Sequence, residues 1–340
     1  MRSRRLPRPM SGRSAETDWE DHAVSKKVLV TSRSFGKISE EPLQILTDAG
    51  LEVTLKGADF KQEEFEQMIP AYDALIIGAH AFPAEVMEKC SNLKIICKHG
   101  VGLDNIPLDK AKALGIAVTN TPGTNSNAVA DLTFALMLAS ARCVLQADRH
   151  VHEGTWKTVT GVDVYGKTLG LLGFGAIARC VARRARGFEM KVLTYDPYVK
   201  ELPEEFRDFV SLCDFDTVVQ GCDYLSVHLP LTEETQGILS APQLAKMKKG
   251  SFLINTARGG IVNEQDLYDA LVSDRLRGAA MDVMETEPIL PEHPLLTLDN
   301  VIITPHMGMY SREAMGAVSL ICAQNVAACL CGGEIRHRVV

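Results

Sequence analysis

The apolar run Leu169-Gly170-Leu171-Leu172, followed at once by Gly173-Phe174-Gly175-Ala176-Ile177-Ala178, limits this chain more than any other segment. A strand that runs straight into a G-x-G-x-x-A turn and then a helix opens a βαβ unit built to bind a dinucleotide. Gly173 permits the tight turn and Gly175 lets the backbone approach a pyrophosphate. Small Ala178 lets the helix pack close to the strand. The free N–H groups at the helix start, from Ala176 and Ile177 onward, offer their positive end to the phosphates. A glycine pattern alone is weak; the flanking strand and helix give this one its weight.

The helix has a small apolar inner face (Ala178, Ala182, Ala185), while Arg179, Arg183, Arg184 and Arg186 read as a solvated outer face. The next strand, Val192-Leu193-Thr194-Tyr195, ends in Asp196. A carboxylate there accepts hydrogen bonds from the adenosine ribose and repels a 2′-phosphate, which selects NAD over NADP. A plain turn aspartate before Pro197 is the competing reading.

At 340 residues the chain is long enough for two domains. Its apolar fraction is 46%, with only 6% aromatic residues, which suits aliphatic parallel sheets buried on both faces. Strands and helices alternate from Lys27: strands at 28–30, 51–55, 74–77, 95–97 and 116–118, then one long helix over 126–151. A turn-rich interval, 152–167, precedes strands at 168–172, 191–195, 224–227, 252–254, 279–281 and 301–303, and a helix over 311–331. The pattern predicts an α/β fold: a Rossmann-type doubly wound parallel sheet plus a second α/β domain. Residues 1–25 pass from Arg-rich to acidic with little apolar pattern and read as a disordered tail.

A net charge of −7 argues against nucleic acid or an anionic membrane as partner. No run approaches the roughly 18 apolar residues of a membrane span, and 1–9 lack the apolar stretch of a secretory signal. The nine cysteines are odd in number and scattered through apolar stretches, as buried free thiols of a cytoplasmic protein would be. Cys329 and Cys331 have no second pair or nearby His to complete a metal site, so no metal is expected.

Three further segments each follow a strand of the nucleotide-binding unit: Asn255-Thr256-Ala257-Arg258-Gly259-Gly260, Asp282-Val283-Met284-Glu285-Thr286-Glu287-Pro288 and Thr304-Pro305-His306-Met307-Gly308. Open α/β sheets bind ligands at those strand ends. Reduction of a 2-keto acid needs a cation to hold the carboxylate and polarise the carbonyl, and arginine offers a planar fork. It needs a proton donor for the developing alkoxide, which histidine supplies, and a neighbouring carboxylate favours the imidazolium. Arg258, His306 and Glu287 fit these roles.

With these motifs in place, the chain resembles the D-isomer-specific 2-hydroxyacid dehydrogenases, on the phosphoglycerate dehydrogenase-like branch. The resemblance runs over about 26–332. It rests on Gly100-Val101-Gly102-x-Asp104-Asn105, Asn120-Thr121-Pro122, the glycine loop, His228-Leu229-Pro230-Leu231-Thr232 and the three segments above. It implies that Arg258, Glu287 and His306 are the catalytic set. It places NAD contacts on Val101, Gly173, Gly175, Ala176, Ile177, Asp196, Leu229, Pro230, Thr256, Asp282, His306 and Gly308, with Asp282 holding the nicotinamide carboxamide. Lys98, His99, Gly100 and Val101, with Arg258, would hold the substrate carboxylate, largely through backbone N–H groups.

The resemblance also implies a flavodoxin-like substrate domain from 26–122 and 310–340, and an NAD-binding Rossmann domain over 123–309. The helix after Asn125 and the loop around Trp156 would form a homodimer. His228 would belong to a structural loop near the adenosine and would not act on substrate.

Phosphoglycerate dehydrogenases proper carry an Arg just after the strand equivalent to 74–77, where this chain reads Ile77-Gly78-Ala79-His80-Ala81-Phe82. Lys98 and His80 are the nearest cationic replacements, and Lys98 also reads as a surface lysine. Candidate substrates are therefore phosphoglycerate, hydroxypyruvate or glyoxylate, and a phosphonate analogue. The chain ends at Val340, so serine feedback through an appended regulatory domain is not expected. Formate dehydrogenases of this fold pair the His with Gln, and Glu287 argues against them. NADH-sensing transcriptional corepressors keep the same three residues and are the competing class; the short ends of this chain weigh against them.

Overall fold

The computed structural model describes residues 25–57 and 60–340. The tail and signal readings of the first 24 residues lie outside them.

Two parallel sheets organise the chain. The first contains β1 (Lys27–Val30), β2 (Glu52–Leu55), β3 (Ala74–Ile77), β4 (Ile95–Lys98) and β5 (Ala117–Thr119), in the order β2-β1-β3-β4-β5. This is the flavodoxin-like order. The second contains β6 (Thr168–Leu172), β7 (Lys191–Tyr195), β8 (Val210–Leu212), β9 (Tyr224–Val227), β10 (Ser251–Asn255), β11 (Leu276–Met281) and β12 (Val301–Ile303). Its order is β12-β11-β10-β9-β6-β7-β8, so the chain reverses direction across the sheet beside β6. That switch point opens a crevice at the strand ends, where the glycine loop lies.

Continuous apolar strands are buried on both faces because helices cover both. β3, β9 and β10 are buried at every residue. Each fully buried aliphatic side chain contributes about 1.5–3 kcal/mol. The fit is close: a Cβ on Gly170 would meet Cys222 Sγ at 2.8 Å, so the strand needs glycine there to pack under the following helices.

The C-terminal helix Arg312–Cys331 packs on the first sheet and on the helix Glu41–Asp48. Val318, Cys322, Ala323 and Val326 are buried with Val28, Val30, Ile76, Ile95 and Cys97. By length and composition alone this helix is long and apolar enough to cross a bilayer, contrary to the reading of the sequence. Here its apolar face is spent on the sheet. Beyond it, Val339 N–H donates to Val118 O at 2.8 Å and extends the edge at β5.

The single helix expected over 126–151 is two helices, Ser126–Arg142 and Val144–His152, bent by 65°. Cys143 sits at the break with φ 53°, in the left-handed region. The first helix packs on β10 and β11, whereas the second buries no residue. The returning chain ends the first one: Val162 N–H donates to Ala141 O at 2.8 Å. A Cβ on Gly161 would lie 2.4 Å from that same carbonyl. No Gly or Pro marks the break in the sequence.

Candidate active site

All strands of the second sheet are parallel, so the loops after β6, β10, β11 and β12 share one edge. After β6, Gly173 takes φ 93°, and a Cβ there would lie 2.7 Å from His228 O. Only glycine fits that turn. Gly175 faces open space, and the helix Ala176–Gly187 starts with no side-chain cap. Its first N–H groups are therefore left for an anion, and these residues fit a pyrophosphate. Asp196, ending β7, accepts from Phe174 N–H at 2.8 Å through one carboxylate oxygen and from Tyr198 N–H at 2.9 Å through the other. Its carboxylate thus lies beside the glycine loop.

Of the arginines of that helix, Arg183 and Arg186 are exposed, whereas Arg179 and Arg184 are half-buried. Arg179 Nε donates to Phe174 O at 3.0 Å and braces the glycine loop. Arg183 pairs with Glu205, Arg184 with Asp131 and Arg186 with Asp208.

His228, after β9, shares a 2.9 Å hydrogen bond with Ser226 Oγ, and burial pushes its pKa down to about 3. It is a neutral imidazole under the loop. Leu229 beside it is buried and Pro230 exposed.

After β10, Asn255 holds the turn that presents Arg258: its Oδ1 accepts from Ala257 N–H and its amide donates to Arg258 O. Thr256 Oγ1 lies 2.9 Å from Thr133 Oγ1. Arg258 donates from Nη1 to Ala257 O at 2.7 Å and from Nε to Asp104 Oδ2 at 2.8 Å, across the cleft to the first sheet. The guanidinium lies on Gly102, where a Cβ would meet Nη2.

After β11, Asp282 is buried and accepts from Thr304 Oγ1 at 2.6 Å, Met307 N–H at 2.9 Å and Gly308 N–H at 2.8 Å. Burial raises its pKa despite those donors. The net it casts over the loop after β12 holds His306 at φ 49°, a conformation that costs a non-glycine residue on the order of 1 kcal/mol. His306 Nδ1 lies 2.8 Å from Glu287 Oε2, and Glu287 Oε1 accepts from Met284 N–H at 3.1 Å. Burial pushes the Glu287 pKa up. The hydrogen bond and charge of His306, the Met284 N–H and Arg258 outweigh it and hold the pKa below its ordinary value. With Nδ1 on Glu287, Nε2 is the ring nitrogen left for a ligand.

The loop after β4 forms the opposite wall. Gly100 approaches Met309 of the His306 loop; a Cβ there would lie 3.8 Å from its Sδ. The N–H groups of Val101 and Gly102 meet no protein acceptor among the described residues. Gly100 N–H, by contrast, donates to Lys98 O.

His99 corrects the expectation of a substrate ligand. Its N–H donates to Ile77 O, and its ring is buried against Ser319 Oγ at 2.9 Å and the edge of Phe35. It supports the loop from beneath because an apolar strand end draws it inward. Lys98 Nζ is held by Gly78 O at 2.7 Å and Asn105 Oδ1 at 2.8 Å. Burial, with Arg258 nearby, brings its pKa down to about 8. It is no plain surface lysine. His80 packs against Phe60 and Phe65, and burial together with Arg33 lowers its pKa, which makes it a poor replacement cation.

Sequence reasoning does not single out Asp104, Asn105 and Asn255 for these positioning roles. Asp104 and Asn105 stand in a recognisable motif, but nothing local pairs them with Arg258 and Lys98.

Residues 134–308 match the family model of the D-isomer specific 2-hydroxyacid dehydrogenase NAD binding domain. The chain is 43% identical over 317 residues to a D-3-phosphoglycerate dehydrogenase of Archaeoglobus fulgidus, covering 92% of this chain and 59% of that protein. It thus spans about three-fifths of that relative's length. It is 42% identical to a hydroxypyruvate reductase of Thermotoga maritima, over 83% of this chain and 92% of that one. The crystal structure of the TT0316 protein from Thermus thermophilus superposes with a TM-score of 0.85 at 37% identity, over 92% of this chain and 100% of that one. With the glycine loop, the Arg258 turn and the Glu287–His306 pair on one sheet edge, the chain belongs to the D-isomer specific 2-hydroxyacid dehydrogenase family, and its second sheet is that family's NAD-binding domain.

Proposed function

We propose that this protein is an NAD-dependent D-2-hydroxyacid dehydrogenase that interconverts a small 2-keto acid and the corresponding D-2-hydroxy acid. The observation that carries this reading is the 2.8 Å His306–Glu287 pair facing the same cleft as Arg258, on the sheet edge that also carries the glycine loop. The glycine loop and Asp196 would hold NADH, which when bound would supply the hydride for C2. Arg258 holds the substrate carboxylate together with the Val101 and Gly102 N–H groups, and its positive charge polarises the C2 carbonyl. His306 Nε2 delivers the proton that the C2 oxygen takes up as it becomes a hydroxyl. Glu287 orients the ring and stabilises its charged form before transfer. In the oxidative direction His306 accepts that proton.

The relatives named above comprise a D-3-phosphoglycerate dehydrogenase and a hydroxypyruvate reductase. Both fit a small anionic substrate. Arg33 and Lys98 are cations at this end of the first sheet, so a second anionic group on the substrate is accommodated by charge. The test is NADH oxidation with hydroxypyruvate, glyoxylate, pyruvate and 3-phosphohydroxypyruvate. Turnover of at least one of the four supports the reading. NADH binding without turnover of any of them sinks it and favours a nucleotide-sensing role.

The same reading includes a homodimer in a reducing cytoplasm. Exposed Val144, Leu145, Val151, Trp156 and Tyr165 on and after the bent helix support the first, and nine free cysteines support the second.

A further inference from the structure

A second carboxylate–imidazole pair lies behind the first. Glu264 is the first residue of the helix Glu264–Val272, which follows the Arg258 turn. Its side chain is only 9% exposed, and both carboxylate oxygens are engaged. Oε1 accepts from Glu285 N–H at 2.6 Å, and Oε2 lies 2.9 Å from His293 Nε2. His293 Nδ1 in turn accepts from Leu295 N–H at 3.3 Å, which leaves its ring proton on Nε2, toward Glu264.

These bonds pin the chain at 285 and again at 293. Glu287 lies between the two pins. Between the pins, Glu285, Thr286, Glu287 and Pro288 are all exposed. The same region touches the Arg258 turn, since a Cβ on Gly259 would fall 1.9 Å from Met284 O. One buried carboxylate thus joins the arginine turn to the loop that orients His306.

We propose that Glu264 and His293 are positioning residues that fix the Glu287 carboxylate against His306 and thereby tune the proton donor. This rests on the reading of His306 as that donor. His306 is faced by Glu287 from the 284–295 loop and by Asp282 from the end of β11, while Arg258 acts on Glu287 from the turn after β10. Loosening the loop withdraws Glu287 and leaves the other two in place.

The test is the pH profile of kcat/KM for keto-acid reduction in wild type, Glu264→Gln, His293→Ala, His293→Gln and Glu287→Gln. NADH affinity and melting temperature are measured alongside. Glu264→Gln and His293→Ala are expected to lower kcat/KM by about tenfold, as outer partners of oriented histidines do. They should also move the alkaline limb by about one pH unit to lower pH, toward its position in Glu287→Gln. NADH affinity stays unchanged. His293→Gln, whose longer amide can still donate to Glu264 from the Nε2 position, stays near wild type.

A fall in kcat/KM that follows melting temperature with the alkaline limb unmoved would overturn the proposal, as would no change at all. If Glu264→Gln does not fold, the two His293 variants decide. Proton NMR of the His306 ring gives an arm that needs no substrate: the downfield Nδ1–H resonance of its hydrogen bond to Glu287 should move upfield in His293→Ala, and an unmoved resonance contradicts the pairing. An enzyme that turns over no keto acid but shows that movement would fail the proposed function and keep this inference.

Discussion

Arg258 reaches from the turn after β10 to donate to Asp104 Oδ2 at 2.8 Å, so the residue that would grip substrate is oriented by a carboxylate on the other sheet. Both side chains are partly exposed, at 32% and 51%, and such a pair contributes at most about 1 kcal/mol to stability. Its significance is geometric. With Nε on Asp104 and Nη1 on Ala257 O, Nη2 is the arm left facing the Gly102 backbone.

Asp104→Ala should therefore cost activity with little loss of fold. Kinetics with the best keto acid are expected to show kcat/KM down by about tenfold, NADH affinity unchanged and a melting temperature within a few degrees of wild type. An unchanged kcat/KM would mean that Ala257 O alone fixes the guanidinium.

Gly102→Ala probes the same contact from the opposite wall. The new methyl would occupy the position of Arg258 Nη2, the far end of a flexible side chain, so the guanidinium must swing away. A displacement of this size costs about a hundredfold in kcat/KM. Steady-state kinetics alongside thermal melting would separate this from misfolding; a variant that melts normally and turns over normally would contradict the placement of Arg258.

Asp196→Ala removes the acceptor of Phe174 N–H and the negative charge beside the glycine loop. NADH binding should weaken by roughly ten- to a hundredfold, consistent with about 1.5–3 kcal/mol for a hydrogen bond to a charged group. Discrimination against NADPH should relax. Fluorescence titration with both cofactors checks this, and an unchanged preference would place the selecting residue elsewhere.

Lys98 gives the site a pH dependence. Its pKa is about 8, so its charge is present below that pH and lost as pH rises through it. Keto-acid kcat/KM, which reports the free enzyme, should fall between pH 7 and 9. Lys98→Met should be lower throughout and lose that part of the decline. A Lys98→Met profile parallel to wild type would show that Lys98 serves only Gly78 and Asn105.

Much of this was legible in the residues. The glycine loop and the three strand-end segments stand in short contiguous motifs, so strand, turn and polar residue arrive together. The alternation that placed eleven strands missed β8, because Val210-Ser211-Leu212 is an edge strand with one buried residue. The bend at Cys143 was invisible because a distant carbonyl–amide contact, Ala141 with Val162, makes it. His99 looked like a ligand because the N–H groups of the loop that follows it read as ligands; its side chain answers to Ser319 in a helix more than two hundred residues away. Arg258–Asp104 and Glu264–His293 were hidden for the same reason, since tertiary pairing leaves no local period.

The most direct measurement compares NADH oxidation by wild type, Arg258→Ala and His306→Gln, with cofactor binding followed by fluorescence in the same samples. The account predicts a loss of about a thousandfold or more in keto-acid turnover for each variant, with NADH dissociation constants within a few fold of wild type. Turnover by either variant at the wild-type rate would contradict it.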